Sequence, residues 1–600
     1  MLNQVEFQML YKFHQNQDKI HYTQRMLAEE LSISLGKTNQ VITELLDKQL
    51  IRVNGAGSYE IEPRGMESLE PYKVKNAIIM AAGMSSRFAP LSYEKPKGLL
   101  RVKGDVLIER EILQLQEAGI RDITIVVGYR KEKFFYLEEK YGIKIVVNED
   151  YYRYNNTSTL IRVLDQLSNT YICSSDNYFV DNVFEPYVYR AYYAAVYATG
   201  ATSEYCLECD GKGRIKNVTI GGSDSWYMLG HVYFDRQFSE AFGEILKREY
   251  RNNVTRGQLW EDVYIRYIRN LDLYIRKYSA DKVLEFDSLD ELREFDSEYI
   301  NNTDSRIMEN ISRALKCRIG EIVNIHAVTS GATNTSFRFQ VGDQAYIYRH
   351  PLKGSEKYIN RESEAAALRL VEDLRLDDSF FYIDEKEGWK VSYFINETHE
   401  MNCHNAKEVT EALEMLRRLH NAELHSRYDF HIWKRILLLR EQLKGSDKED
   451  FDDFERLFQL ISSVQEQVGR DSSHSCLCHC GCSASNFLVD GAGKLYLTDW
   501  QYAGNDDPAV DVGNFICSSD YSYEKAMAVL EEYLQHTPTI QEQGHYMGYV
   551  AMAAYHWYLW ALYQETTGKI IGESMYIWYK NARLYAGNAL KCYSERGKKE

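Results

Sequence analysis

The sequence contains no apolar stretch of about 18 residues, the length that a membrane-spanning helix needs. Its first residues show no basic region followed by an apolar segment, so we expect no secretory leader. Proline is scarce, with 8 residues among 600, and the 11 cysteines do not resemble a disulfide framework. Together these absences predict a cytoplasmic protein in a reducing compartment.

Positive charge is also in deficit. The 71 Lys and Arg residues face 88 Asp and Glu residues, a formal net charge of -17 that argues against nonspecific wrapping of nucleic acid. Local basic residues, backbone amides and magnesium can still bind phosphates. The chain is too long for one hydrophobic core, and its patterning predicts three domains, over residues 1–72, 73–300 and 305–600.

Residues 1–72 alternate short amphipathic segments with turns. A helix is predicted over residues 37–49, and short strands over 51–53 and 59–61 are joined by a turn at Asn54-Gly55. The region resembles the winged helix-turn-helix of MarR-type regulators, which implies DNA as a partner. Its ten Asp and Glu residues outnumber seven Lys and Arg residues, which favours a regulatory or dimerising appendage over DNA binding.

From Lys75 to about residue 300, apolar strands alternate with helices. A helix is predicted over residues 108–117. Such alternation predicts a doubly wound, Rossmann-like parallel sheet that binds ligands at the carboxyl ends of its strands. The acidic segment over residues 283–304 is interpreted as a domain boundary. The predicted buried strands cover residues 76–80, 123–127, 143–147 and 171–173.

The first of these strands runs into a loop of small residues that ends at Arg87. Small residues let the backbone approach a triphosphate, and successive amides can cradle its oxygens. Arg87 can neutralise a departing pyrophosphate, and Lys97, in Lys95-Pro96-Lys97, can reach the α-phosphate where charge develops. The pattern predicts a nucleotidyl transfer site. Its predicted nucleotide-binding residues are Ala81, Ala82, Gly83, Met84 and Ser86.

The run from Ala81 to Lys97 resembles the signature of sugar-phosphate and choline-phosphate nucleotidyltransferases. Within that family, residues 147–149 and 154–158 most resemble the bacterial CTP:phosphocholine cytidylyltransferases. The resemblance covers about residues 75–300. It implies CTP and phosphocholine as substrates, with nucleotide contacts from Asn156 and Ser158. Ser85 departs from the family, which usually has a second glycine there.

The resemblance also implies a magnesium ion held by two carboxylates, as a triphosphate substrate requires. Asp176, at the end of a buried strand, and Asp262 match the family's aspartates in order and approximate spacing, with Glu261 as the alternative to Asp262. A trimethylammonium group prefers aromatic faces, and the candidates for that contact include Trp260 and Tyr205.

From about residue 305 a β-rich segment gives way to helices, and residues 305–595 resemble choline and aminoglycoside kinases. Residues 330–336 resemble the loop that covers the nucleotide. Arg349 occupies the place of the basic residue that meets the ATP phosphates, and Glu364 is its expected partner. The resemblance implies a bilobal protein-kinase-like fold that uses ATP.

Residues 477–489 resemble the kinase catalytic loop, with Asn486 and the later Asp499 as implied magnesium ligands. Gly481 stands where the catalytic aspartate is expected, and Gln501 replaces a carboxylate that faces choline in this family. Loss of a general base costs about 10²–10⁴-fold in rate, so the resemblance supports a kinase fold better than kinase activity. The side chains matching the trimethylammonium site are Trp557 and Trp560.

Cysteines at positions 476, 478, 480 and 482 alternate along the same segment. Zinc sites usually use a C-x₂-C spacing, whereas alternate residues of an extended segment share one face. Half-buried thiols beside the loop are therefore favoured over a metal site.

The leading hypothesis is magnesium-dependent transfer of CMP from CTP to phosphocholine, with a fused choline-kinase-like domain. The first alternative is a cytidylyltransferase for another phosphorylated or phosphonylated amine, such as 2-aminoethylphosphonate or phosphoethanolamine. The second is a DNA-binding regulator that senses metabolites. The predicted fold class is multidomain α/β.

Overall fold

The computed structural model describes residues 2–15, 22–54, 58–328, 333–352, 354–451, 453–471, 474–567, 569 and 571–596. The predicted turn residue Gly55 and residues 330–332 of the predicted nucleotide-covering loop lie outside this description. The chain forms two compact units, Met1–Met308 and Glu309–Glu600. Among the described residues, no helix combines the length and the apolar character that crossing a membrane requires.

The helices of the first unit are mostly short, and the division between the units falls inside α13. Their bounds are α1 Gln4–Gln15, α2 Gln24–Glu30, α3 Leu35–Asp47, α4 Pro63–Leu69, α5 Leu91–Glu94, α6 Leu107–Glu117, α7 Tyr136–Tyr141, α8 Thr157–Leu160, α9 Arg236–Glu249, α10 Asn253–Arg256, α11 Trp260–Arg266, α12 Leu289–Phe295 and α13 Arg306–Leu315.

The strands of the first unit include a two-stranded pair near the start of the chain and a large mixed sheet. Their bounds are β1 Ile51–Val53, β2 Tyr59–Ile61, β3 Asn76–Ala81, β4 Arg101–Val102, β5 Asp105–Val106, β6 Ile123–Val127, β7 Lys144–Val147, β8 Thr170–Ser174, β9 Asn177–Phe179, β10 Tyr192–Tyr197, β11 Ala201–Cys209, β12 Ile215–Ser223, β13 Trp226–Phe234, β14 Tyr274–Tyr278 and β15 Val283–Glu285.

The N-terminal region, residues 2–72, consists of α1–α4 and the antiparallel pair β1–β2, in which Ile51 lies opposite Ile61. Helix α3 begins two residues earlier than predicted, because Ser34 accepts a hydrogen bond from Lys37 N and caps it. The strands predicted at 51–53 and 59–61 are present. The region buries its aromatic side chains in a cluster that includes Tyr187 of the sheet domain.

The large sheet has the strand order β12-β11-β13-β8-β3-β6-β7, and β10 pairs with β13 and β14. Strands β3, β6, β7 and β8 run parallel, as predicted, and β13 runs antiparallel to β8. Neighbouring residues of β3 alternate between two cores: Ile79 belongs to one cluster and Ile78 to the other. Apolar cores on both faces explain why these strands read as continuous hydrophobic runs.

The second unit ends in two long helices that pack together. Its helices are α14 Arg361–Leu370, α15 Ala406–Asn421, α16 Ile432–Leu443, α17 Phe454–Val468, α18 Ala509–Cys517, α19 Tyr523–Leu534, α20 Ile540–Thr566 and α21 Glu573–Arg596. Its strands are β16 Val323–Val328, β17 Asn334–Val341, β18 Gln344–Pro351, β19 Phe380–Ile383, β20 Lys390–Tyr393, β21 His399–Glu400, β22 Cys476–Cys478, β23 Phe487–Val489, β24 Leu495–Leu497 and β25 Gly504–Asp506.

An antiparallel sheet of order β16-β17-β18-β20-β19 begins this unit, and the helices that follow share one hydrophobic core. Helix α20 is buried on most of its surface, which explains its apolar sequence. The small sheets β21-β23-β24 and β22-β25 carry the segment predicted to be the catalytic loop. A β-rich part followed by a helical part agrees with the predicted kinase-like order of elements.

Candidate active site

A cavity of about 610 Å³ lies at the carboxyl ends of β3 and β8 in the first unit. Its walls include four chain segments, residues 80–85, 96–98, 151–156 and 174–176. Parallel strands place their carboxyl ends along one edge of the sheet, where doubly wound folds bind ligands. The small-residue loop, Lys97 and Asp176 therefore line one cavity.

The loop after β3 leaves room for a ligand close to its backbone. At Gly83, a Cβ would meet no atom within 4 Å, so this side of the loop faces open space. Ser85 has a φ of 47°, in the left-handed region that costs an L-residue about 1–2 kcal/mol. The glycine that the family resemblance predicts at this position would adopt this backbone without that cost. Gly128 supports the loop from β6, since a Cβ there would lie 2.8 Å from Ala82 O.

Lys97 is the centre of the charge arrangement in this cavity. Its side chain is only 6% exposed, and its Nζ lies 3.0 Å from Asp176 Oδ2 and 3.5 Å from Glu285 Oε1. Gly98 lets this segment pack closely, because a Cβ there would stand 2.8 Å from Ser175 O. The lysine is thereby fixed beside the end of β8.

Two carboxylates around one ammonium leave an excess of negative charge. Burial raises the pKa of Glu285 to about 7, with the charge of Asp176 adding to the rise and Lys97 opposing it. Burial also works to lower the pKa of Lys97, but the two carboxylates outweigh it and the pKa is raised. Lys97 is therefore positively charged at neutral pH, and the site could accept a further cation.

Sequence reasoning missed Glu285, which was interpreted as part of a domain boundary. The structure pairs β15 with β9, and Glu285 lies opposite Asn177, the neighbour of Asp176. The available signal was the apolar pair Val283-Leu284 just before it, which marks a short strand ending in an acid. The polar run that follows concealed that strand.

The predicted second metal ligand, Asp262, is engaged with the protein itself. Its Oδ2 accepts a hydrogen bond from Leu259 N at 3.0 Å, and its Oδ1 accepts one from Tyr205 OH at 2.9 Å. The alternative, Glu261, is buried and accepts hydrogen bonds from Asn156 Nδ2 at 3.2 Å and Tyr193 OH at 3.0 Å. Burial raises the pKa of Glu261 to about 7.

Other predicted site residues occupy distinct environments. Asn156 lines the cavity and also accepts a hydrogen bond from Trp260 N at 2.6 Å. Ser158 is buried, donating to Asn155 O at 2.7 Å and accepting from Asn148 Nδ2 at 2.9 Å, so its hydroxyl is satisfied internally. Arg87 is 81% exposed in its side chain, and its Nη1 lies 3.8 Å from Asp287 Oδ1.

Trp260 does not offer an open ring face to a ligand. It is fully buried, stacks on Tyr193 with ring centroids 5.7 Å apart, and meets the edges of Phe234 and Phe242. The expectation of a Trp260–substrate contact is corrected accordingly, since an aromatic residue in an apolar core is a packing residue. Tyr205 is half-buried and has its hydroxyl bound to Asp262.

A second cavity, of about 620 Å³, lies within the second unit. Arg349 forms a bidentate ion pair with Glu364, with N–O distances of 2.6 and 2.7 Å, and its Nη1 lies 3.4 Å from Asp499 Oδ1. Glu364 is fully buried and also lies near Lys390 and Arg361, at 3.8 and 3.6 Å. These cations, Arg349 foremost, hold the pKa of Glu364 below its usual range despite burial. Lys390 is a cavity-lining cation that sequence reasoning missed.

The catalytic-loop segment of this unit lacks a base at the predicted position. Asn486 Nδ2 donates to Gly481 O at 2.7 Å, which closes the loop on itself. Gln501 Nε2 donates to Asp499 Oδ2 at 3.0 Å, and Gln501 Oε1 accepts from Thr333 Oγ1 at 3.1 Å. Gln501 therefore joins the predicted metal ligand to Thr333, a residue of the predicted nucleotide-covering loop. The aromatic residues lining the same cavity include Trp557 and Trp560.

The four alternating cysteines are all buried, more deeply than expected. The ligand atoms of His420, Cys478 and Asp511 lie within 4.8 Å of one another. Asp511, however, accepts hydrogen bonds from His420 and from the backbone of residues 479 and 480, and burial raises the pKa of the Cys478 thiol well above its usual value. These hydrogen bonds engage both carboxylate oxygens of Asp511, so this cluster holds the catalytic-loop segment in place.

A phosphate-binding loop with a lysine–carboxylate group at this edge of a doubly wound sheet is typical of nucleotidyl transfer. The family described as a MobA-like NTP transferase domain matches residues 77–220, and the phosphotransferase enzyme family matches residues 324–542.

Two curated relatives and one solved structure illustrate the similarity. The chain is 37% identical over 229 residues to a 2-aminoethylphosphonate cytidylyltransferase of Lancefieldella rimae, covering 38% of this chain and 93% of that protein. It is 32% identical over 220 residues to a choline-phosphate cytidylyltransferase of Streptococcus pneumoniae, covering 37% of this chain and 96% of that protein. The choline kinase LicA from Streptococcus pneumoniae is 21% identical, with a TM-score of 0.41, over 48% of this chain and 98% of that one.

The chain belongs to the cytidylyltransferase family of nucleotidyltransferases. It also carries a kinase-like domain, over which the model of the phosphotransferase enzyme family matches residues 324–542.

Proposed function

We propose that the first unit transfers CMP from CTP to phosphocholine or a related phosphoamine, releasing pyrophosphate. The observation that carries this proposal is the placement of Lys97, between Asp176 and Glu285, in the cavity formed by the small-residue loop. The cytidylyltransferase relatives, named for 2-aminoethylphosphonate and for choline phosphate, support the same class of acceptor.

The residues of the chain would divide the work as follows. Backbone amides of residues 81–85 cradle the triphosphate, for which the open space beside Gly83 leaves room. Lys97 holds a positive charge toward the α-phosphate, where negative charge develops during attack. The exposed Arg87 is free to follow the departing pyrophosphate. The acceptor's phosphate or phosphonate oxygen attacks the α-phosphorus in line, and no covalent enzyme intermediate is needed.

Magnesium fits the carboxylates of this site. Asp176 and Glu285 converge on a single lysine, and the pKa of Glu285 is raised by burial, with the charge of Asp176 adding to the rise. Asp176 would hold the ion, with Glu285 or Asp262 as the second carboxylate. When bound, the ion would neutralise the triphosphate and assist the departure of pyrophosphate.

Two kinds of acceptor substrate are candidates, phosphocholine and a phosphorylated or phosphonylated primary amine. One observation favours the primary amine. Phosphocholine, the leading candidate, needs aromatic faces for its trimethylammonium group. Trp260 is buried in the core, whereas the carboxylates Glu285, Glu204 and Asp287 lie close enough to influence one another's charge. Carboxylates suit a primary ammonium that donates hydrogen bonds, so 2-aminoethylphosphonate and phosphoethanolamine are the second candidates.

For the second unit we propose binding of ATP with magnesium, with Arg349, Asn486 and Asp499 as the contacting residues. The buried Arg349–Glu364 pair supports nucleotide binding. Gly481 supplies no base, and Gln501 supplies no negative charge toward a choline cation in the cavity lined by Trp557 and Trp560. Phosphorylation of choline is therefore proposed to be weak.

We propose that the N-terminal region is a winged helix with a regulatory rather than a DNA-binding role. The order α2, α3, β1, β2 supports that fold. Of the two lysines in or after α3, Lys48 is paired with Glu6, which leaves Lys37 as the basic group for a phosphate backbone. The metabolite-sensing DNA-binding regulator remains the alternative. A DNA affinity that falls linearly on a log–log salt plot would favour it.

Pyrophosphate release measured with CTP and magnesium tests the transferase proposal. Phosphocholine, phosphoethanolamine and 2-aminoethylphosphonate serve as acceptors in parallel, and a reaction without acceptor is the control. Release with phosphocholine favours the leading acceptor, and release with the primary amines alone favours the second candidates. Absence of release with every acceptor would overturn the proposed function.

A further inference from the structure

The N-terminal region is attached to the sheet domain through a shared core. Residues 1–76 lie outside both family matches, which cover 77–220 and 324–542. Phe7 of α1 nevertheless packs against Tyr189 with ring centroids 5.4 Å apart, and Tyr11 packs against Tyr187 at 5.7 Å. Tyr189 also stacks on Tyr72 at 5.6 Å. This region is therefore a fixed addition to the catalytic domain.

A cavity of about 480 Å³ lies where α1 meets β14, and we name it the N-terminal cavity. Side chains of α1, including Phe7 and Lys12, form one wall, and Tyr189, Arg190 and Arg276 form the other. A cavity of this volume falls within the range of about 300–1,000 Å³ that holds drug-sized ligands. It is separate from the site that contains Lys97, since the two cavities share no lining residue.

The charges of this cavity favour an anionic group. Arg276 pairs with Glu185 at 2.7 Å, and Lys12 pairs with Glu30 at 2.9 Å. Within the described part of the chain, no carboxylate lies within ion-pair distance of Arg190. Its guanidinium stacks over Tyr274, 3.5 Å from the ring centroid, and donates a hydrogen bond to Lys212 O. A guanidinium held flat on an aromatic ring presents its other donors in the geometry that suits a phosphate.

The remaining lining groups suit a nucleobase. Helix α1 contributes the carboxamides of Gln4 and Gln8, which can donate hydrogen bonds to the edge of a base and accept them from it. The carboxylate of Glu30 lines the same cavity, and carboxylates accept hydrogen bonds from the exocyclic amine of cytosine. Phosphate-binding and base-binding groups thus line one space.

One strand connects this cavity to the catalytic site. Tyr192 lines the N-terminal cavity, and the next residue of β10, Tyr193, donates a hydrogen bond to Glu261 at 3.0 Å. Successive residues of a strand face opposite sides of the sheet. Glu261 in turn accepts from Asn156, which lines the catalytic cavity. A ligand that contacts Tyr192 would therefore contact the strand that positions Tyr193 and, through it, Glu261 and Asn156.

We propose that the N-terminal cavity binds a cytidine nucleotide and thereby regulates transfer. The choice of cytidine rests on the proposed function, because CTP and the CDP-linked product are the nucleotides that such an enzyme handles. The phosphate meets Arg190, and the base meets the side chains of Gln4, Gln8 and Glu30. The bound nucleotide has two possible sources, the substrate and the product.

Hydrogen exchange of the full chain locates a bound ligand by the backbone amides that become protected. The measurement does not depend on catalysis. With CDP as probe, amides of Gln4–Gln15 and Tyr274–Tyr278 should become protected, and Arg190→Glu should raise the midpoint concentration by about tenfold or more. Lys97→Ala should leave that midpoint unchanged. Arg236→Glu, on an arginine 78% exposed and paired with Glu240, is the matched control. If Arg190→Glu does not fold, Lys12→Glu, on the opposite wall of the cavity, replaces it as the test variant.

Parallel titrations separate the two sources of nucleotide. Tighter protection by CTP assigns the substrate, and tighter protection by CDP-choline assigns the product. Protection unaffected by both Arg190→Glu and Lys12→Glu would overturn the site, and equal protection by pyrophosphate alone would overturn the nucleotide class. Protection of these amides without any cytidylyl transfer would refute the proposed function but not the nucleotide site in the N-terminal cavity. Cytidylyl transfer without protection of these amides would refute that nucleotide site but not the proposed function.

Discussion

The two nucleotide cavities of the chain retain different parts of their chemistry. In the first unit, a buried lysine and two carboxylates converge beside an open phosphate loop. In the second unit, the ion pair between Arg349 and Glu364 persists, but Gly481 stands at the position of the base. Groups proposed to bind phosphate are thus present in both units, while the group expected to move a proton is missing from one. The kinase-like domain is present without the residue that its resemblance predicts as the base.

The largest expected effect is the loss of the lysine charge in the first cavity. Lys97→Ala should reduce cytidylyl transfer by about 10³-fold, since a preorganised charge is removed from the developing transition state. ATP binding by the second unit, measured by calorimetry, should be unchanged. Lys95→Ala is the matched control, because that lysine is half-buried and paired with Asp304 outside the cavity lining. A Lys97→Ala protein retaining a tenth of the rate would contradict the assignment.

Restoring the missing base should give the second cavity the proton-accepting group that it lacks. Gly481→Asp should raise choline phosphorylation from ATP by about 10²-fold, the lower range of what a general base contributes. The side chain fits, because a Cβ there would contact Tyr502 and His479 at 3.5 and 3.6 Å, ordinary packing distances. Gly481→Asn, of the same size but without the carboxylate, is the control. Equal rates for both variants would show that more than the base has been lost.

A smaller effect concerns Glu285, the acid beside Lys97 whose pKa is raised to about 7. Glu285 binds a cation only when ionised, so the magnesium concentration needed for transfer should fall as pH rises from 6 to 8. Glu285→Gln should abolish that dependence and cost about tenfold in rate at pH 8. Glu261→Gln is the comparison, since its pKa is also about 7. Loss of the pH dependence in Glu261→Gln alone would assign the metal to Glu261.

The same pKa gives a prediction for stability. The folded state keeps a proton on Glu285 that the unfolded chain releases, because the folded pKa lies above the unfolded one. The contribution of Glu285 to stability is therefore complete below the ordinary glutamate pKa and is lost as pH rises through about 7. Thermal unfolding of Glu285→Gln should show a smaller decline over that interval than the native chain.

The smallest effect is expected at Ser85, whose backbone is left-handed. Ser85→Gly should stabilise the first unit by no more than about 1 kcal/mol, since the relieved strain is partly offset by the greater freedom of glycine in the unfolded chain. Ser85→Ala, which keeps a Cβ, should bring no gain. Unfolding by denaturant measures both variants. A destabilised Ser85→Gly protein would mean that the serine hydroxyl contributes more than its backbone costs.

Local patterns predicted much of the fold. The strands at 76–80 and 123–127 were identifiable because buried parallel strands are continuous apolar runs, and helix α3 was identifiable from its periodicity. The loop and Lys97 lie close together in the sequence, so their chemistry was recognisable there. Glu285 was missed because its role depends on pairing with β9, which no local pattern encodes. Trp260 was misplaced because composition cannot tell a core indole from one that lines a cavity.

The pairing of β9 with β15 has a consequence for how the protein is made. Asp176 leaves the ribosome roughly a hundred residues before Glu285, and domains generally fold as units during synthesis. A nascent chain that ends before Val283 would contain the loop, Lys97 and Asp176, but not Glu285, the second carboxylate beside Lys97. Translation of β15, the last strand of the first unit, is thus the event that brings Glu285 to the proposed catalytic centre. A chain that stalls before this strand should transfer CMP more slowly, as expected for Glu285→Gln, however well its earlier strands had folded.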